Sequence, residues 1–217
     1  MVDGAVVKRF AWIPILLTGV LFVGVLLAPP SHAHSPVTSG LIYEAYLDLP
    51  QVRKAHEVSA LDDELADYIL DPGTSYDEAA AVINALGRTL DNHLLLLQRL
   101  KKTDPHGYQR FRAGKGSSRV LFAVGYMWAT DEYYDTRRAE LLLAQAERQS
   151  PEFFVISLVH ALVIAQSKEE SEWCEIFRKP RDTIARYPNG LEMRRAAVQS
   201  VLDYTDTYAE SCGGYAV

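Results

Sequence analysis

The 217-residue sequence is short of cysteine: Cys174 and Cys212 are the only two, too few for a scaffold built on disulfides. It also lacks any sustained alternation of β-branched and polar residues, so no stretch reads as a half-buried strand. Six histidines occur, yet none stands in His-Glu-x-x-His or Glu-x-x-His, the spacings that put ligands on one helix face for a zinc peptidase or a helical di-metal centre. There is no Gly-x-Ser-x-Gly elbow, and Gly114-Lys115-Gly116-Ser117 has neither the spacing nor the preceding strand of a phosphate loop. Positive charge is scarce too, with 22 basic residues against 28 acidic ones, which argues against a nucleic-acid partner and against tight binding to anionic lipid. No metal and no cofactor is expected.

What the sequence does have is one long uncharged run. Phe10 to Ala28 passes nineteen residues without a charge, preceded by Lys8 and Arg9 and followed by Pro29-Pro30. Residues 1–33 therefore read as a signal peptide or as a membrane anchor. Ser31-His32-Ala33 offers small residues where a signal peptidase reads, which would make His34 the mature N-terminus, whereas an apolar run longer than the usual ~7–15 residues suits an anchor. The basic flank keeps the N-terminus cytoplasmic in either case, so the remainder is exported to the periplasmic or extracellular face, touching the membrane only through residues 10–28 if uncleaved. In that oxidising compartment Cys174 and Cys212 are expected to pair with each other.

Beyond residue 33 lie 184 residues with 20 basic and 27 acidic side chains, a balance of −7 and a length that fits one domain. Residues 34–40 (HSPVTSG) read as a linker and 41–217 as a helical domain, all-α, an irregular bundle of about seven helices. Asp62, Asp63, Glu64 and Asp67 read as a solvated helix face. Ser75 and Glu78 have the spacing of a capping box, opening a helix near Tyr76 that continues past Gly87 to Leu100, with Leu94 to Leu97 at the bundle's centre. Residues 106–119 (HGYQRFRAGKGSSR) break the pattern, and Ser117 or Ser118 caps the helix that follows. Phe153 to Ala165 is the most apolar stretch after residue 33 and is expected to be the most deeply buried. The segment after Ser167 is expected to stop at Pro180. His93 and His160, set in apolar runs, are expected to be satisfied core or boundary histidines.

The break at 106–119 carries the candidate site. Arg110, Arg112, Lys115 and Arg119 fall within ten residues with Tyr108 and Phe111 interleaved, and no acid occurs between Asp104 and Asp131. Arginine forks bind carboxylate or phosphate bidentately, and a helix N-terminus adds backbone donors. The competing expectation is that these cations pair with the acids at 62–67 or 131–135. With twelve tyrosines and three tryptophans available as anchors, the chain reads as a non-catalytic interaction module: a subunit, assembly factor or immunity-type binder of an envelope complex, with a protein partner.

One enzyme alternative stands beside it. Glu170-Ser171 after the apolar helix, with Gly190-Leu191 and Met193 downstream, resembles the lytic transglycosylases over about a fifth of the chain, although that family's intervening motif is absent. The resemblance implies peptidoglycan cleavage with Glu170 as a general acid whose pKa is raised by burial.

Overall fold

Every regular element is helical among the residues that this computed structural model describes, 35–58, 60–87, 91–168, 172–188 and 191–213. In chain order they are α1 (Pro36–Ser39), a 3-10 turn (Ile42–Tyr46), α2 (Pro50–Val58), α3 (Asp63–Leu70), α4 (Tyr76–Leu86), α5 (Asn92–Thr103), α6 (Pro105–Arg112), α7 (Ser118–Asp131), α8 (Arg137–Gln149), α9 (Phe154–Ser167), α10 (Trp173–Ala185), α11 (Arg195–Asp206) and a second 3-10 turn (Ala209–Cys212). That is eleven α-helices where the periodicity predicted about seven. These residues belong to one unit spanning 34–217; residues 1–33 form another, which lies outside the described residues together with the apolar run and the Ser31-His32-Ala33 site.

The centre is made by helices that are apolar nearly all round. α9 buries Phe154 to Val159, Ala161 to Val163 and Ala165, which makes the 153–165 stretch core as its composition demands. α7 buries Val120 to Met127, and α8 lies directly on it: a Cβ added to Gly125 would come within 3.0 Å of Leu143 Cγ and 3.1 Å of Leu142 Cβ. The first turn of α7 is held by Ser117, whose hydroxyl accepts from the Val120 amide at 3.4 Å. α2 packs on α4, α5 on α7, and α10 on α9.

The extra helices come from breaks that sequence periodicity runs through. At Gly87 the backbone turns to φ +65°, ψ −159°, which no helix continues, so the stretch expected as one helix from 76 to 100 is two, α4 and α5. Of Leu94 to Leu97 only Leu96 is buried, while Leu94 and Leu95 are 43% and 40% exposed; four successive residues advance about 100° each, so they cannot all face one core. Ser75 does flank α4, but the capping box does not close. Ser75 bonds the Asp77 carboxylate, and Glu78 instead accepts from the Tyr68 hydroxyl at 2.9 Å.

Two corrections concern proline. Asp104-Pro105 ends α5 and also begins α6, because the Asp104 carboxylate accepts from the Gly107 amide at 2.7 Å and proline suits the first helical position. Pro180, expected to stop its helix, lies inside α10 and is buried, with the Arg181 guanidinium donating to the Phe177 carbonyl at 2.8 Å in that turn. A third correction concerns residues 34–40. His34 lies outside the described residues, but Ser35 to Gly40 is no linker: α1 packs on α9 and α11, and Val37 is fully buried.

Candidate functional site: an exposed basic strip and a polar groove

Residues 106–119, expected as an irregular break, form helix α6, a turn and the start of α7. α6 closes with Gly114 at φ +73°: the Gly114 amide donates to Phe111 O at 2.9 Å and the Lys115 amide to Arg110 O at 2.8 Å, the paired bonds of a Schellman end. α8 fixes the turn from below, with Gln145 Nε2 donating to Gly114 O at 2.9 Å and Gln149 Nε2 to Gly116 O at 3.1 Å.

This geometry divides the six predicted binding residues. Arg110, Arg112 and Lys115 are exposed. Tyr108 stands between two cations, accepting from Arg112 Nη1 at 3.4 Å with Lys101 Nζ 6.0 Å from its ring, and the three line an open hollow together with Gln109 and Ala113. Arg110 leans toward Asp104 at 3.7 Å. Arg112 and Lys115 have no carboxylate within 4.0 Å among the described residues. The acids at 62–67 are taken by other partners: Lys54 meets Asp62 and Glu64 at 2.6 Å, and Arg99 bridges Asp63 and Asp67. The basic strip therefore does not close on them.

Phe111 and Arg119 leave the candidate set, for both point inward. Phe111 is core. Arg119 lays its guanidinium 4.0 Å over the Tyr76 ring and donates to the Thr74 carbonyl, and burial pushes its pKa down. It ties the turn before α4 to α7. Arg119→Ala is expected to lower unfolding free energy by about 1–3 kcal/mol, through loss of the stacked stem and a charged hydrogen bond. Urea unfolding measures it, and Arg112→Ala in the same assay is expected to stay within about 0.5 kcal/mol.

The disulfide is present as expected, joining Cys174 at the start of α10 to Cys212 in the final turn. Beside it Trp173 and Tyr208 stack with centroids 5.6 Å apart. Of the two histidines expected to be satisfied, His93 is: its Nδ1 and its backbone amide meet the Asp131 carboxylate at 2.7 and 2.8 Å, under the Trp128 ring at 4.0 Å.

His160 is satisfied on one side only. Its Nδ1 lies 2.6 Å from Glu147 Oε2, while its Nε2 is buried without a partner among the described residues. Glu147 is a hub: Oε1 accepts from the Ser157 hydroxyl at 2.8 Å and from Arg186 at 3.3 Å, and Ser157 shares a 2.6 Å bond with the Tyr187 hydroxyl. The His160 hydrogen bond, then those from Ser157 and the Arg186 charge, outweigh burial and hold the Glu147 carboxyl down at about 2. This cluster forms one end of a cleft of about 320 Å³ between α9 and α10. Ser157, His160, Ala161 and Ile164 on α9 face Lys179, Asp182, Thr183 and Arg186 on α10, each set at the spacing of one helical face. The Glu147–His160 pairing is not visible in the sequence, since the two sit on different helices.

Glu170 and Ser171 lie outside the described residues. Among the described residues no three His, Cys, Asp or Glu side chains are grouped to hold a metal ion, and no helix is long and apolar enough to cross a membrane. Comparison of the chain with protein-family models, with curated proteins and with solved structures found no match.

Proposed function

We propose that the protein is an exported or membrane-anchored helical module that binds an envelope protein non-catalytically, presenting the basic strip of α5–α6 to an acidic segment of that partner. The observation that carries this reading is the cationic face itself. In a chain of net charge −6, Arg112 and Lys115 are exposed with no carboxylate partner among the described residues, and Arg112 and Lys101 flank Tyr108. Unneutralised charge of one sign on an acidic protein steers an oppositely charged partner. The Cys174–Cys212 bond supports the compartment, because thiols facing the cytosol are kept reduced.

The experiment is affinity purification of the intact protein from its native host, followed by titration of the captured partner against Arg110→Ala/Arg112→Ala. The double variant is expected to bind about tenfold or more weakly, with an unchanged melting temperature. Wild-type affinity is expected to fall as salt rises from about 0.05 to about 0.5 M, because exposed charges are screened. Affinity indifferent to both changes would remove the strip from the reading.

A further inference from the structure

We propose that the groove between α9 and α10 binds a small zwitterion of the α-amino-acid type, its ammonium on Asp182 and His160 Nε2 and its carboxylate on Lys179 and Arg186. The first ground is the order of charge on α10. Lys179, Asp182 and Arg186 stand one turn apart on the face that lines the groove, positive, negative, positive. Such neighbours ordinarily pair with each other, and here they do not. Lys179 reaches back to Glu175 at 3.5 Å, Arg186 reaches across to Glu147 at 3.3 Å, and Asp182 has no cation within 4.0 Å among the described residues.

The second ground is the orientation of His160. The Glu147 carboxylate accepts, so Nδ1 carries a ring hydrogen, and in the neutral imidazole Nε2 is then the acceptor, with a lone pair. That lone pair is buried and unanswered among the described residues. An ammonium group answers it and Asp182 together. The ligand's carboxylate then lies within reach of a lysine and an arginine whose side chains are 40% and 57% exposed, held only by long contacts, and free to swing over the opening. The floor beside His160 is Ala161 and Ile164, which suits a short apolar side chain, and about 320 Å³ is at the small end of ligand sites. This inference does not depend on the basic strip, which lies on α5 and α6.

Isothermal titration of the purified full chain with alanine, acetate and ethylammonium tests it. Alanine is expected to bind saturably, and each half-ligand about tenfold or more weakly, because each leaves two of the four groups unanswered. Asp182→Asn, a change at an exposed side chain, is expected to weaken alanine about tenfold and leave thermal unfolding unmoved. Three results would each overturn the proposal: no saturable heat with alanine to about 10 mM, acetate binding as well as alanine, or an unchanged alanine affinity in the asparagine variant.

Discussion

Replacing Cys174 and Cys212 together by alanine is expected to lower the unfolding free energy by about 4 kcal/mol, the chain-entropy value for a closed loop of this length. The bond spans 38 residues, which include nearly all of α10, all of α11 and the final 3-10 turn. Its effect lies mainly in the unfolded chain, where it limits how far the two ends of that segment can separate. The packing around it does not run through the bond: Trp173 stacks on Tyr208, and Arg181 bridges from α10 to Thr205 at 3.0 Å and to Asp206 on α11. The double variant should therefore fold, and melt roughly 10 °C lower. Thermal unfolding of both proteins under non-reducing conditions decides the matter. Equal midpoints, or two titratable thiols in the unreduced, unfolded wild type, would show that the native chain does not carry the bond.

Helical class and the burial of residues 153–165 were legible because each rests on composition within one window. The 153–165 stretch has almost no polar residue to turn toward water, so it has one place to go. Helix boundaries were less legible because the same residue can serve opposite ends. Asp104-Pro105 reads as a stop after Lys101-Lys102, yet an aspartate that caps and a proline at the first position also make a start. Gly87 inside an apolar pattern costs a helix little, and nothing in its neighbours' identities announces a positive φ.

The candidate site was half legible for a related reason. A cluster of cations within ten residues says where charge is dense along the chain; the helix then decides which members share a face. Arg110 and Arg112 are two positions apart on α6 and diverge, whereas Tyr108 and Arg112 are four apart and meet. Arg119 sits at the second position of α7, where the tyrosine ring of α4 receives it. The Glu147–His160–Ser157 cluster could not be read at all, because it exists only where the end of α8 meets the start of α9 across a turn and α10 closes over both. Its one sequence trace is a serine and a histidine three residues apart in the otherwise apolar stretch 153–165, at a spacing that puts both on one helix face.

Val37→Asp is expected to destabilise the domain by at least about 4 kcal/mol, because it removes a buried aliphatic side chain and leaves a carboxylate with no partner in the core. The prediction turns on the segment that composition alone presented as a linker. Ser35 to Gly40 is small and polar on average, but its single aliphatic residue is fully buried, and Ser35 bonds the side chain of Gln166, which in turn donates to the Tyr133 carbonyl at 2.9 Å. A Cβ added to Gly40 would meet Val201 Cγ2 on α11 at 3.0 Å, so the backbone here runs against the core. Averages over seven residues hide one anchoring valine. The control is Thr38→Asp, one residue along and only partly buried, expected to change stability by no more than about 0.5 kcal/mol. Urea unfolding of the two variants separates the cases: a packed first turn gives a large difference between neighbouring positions, whereas a linker would give two small and equal effects.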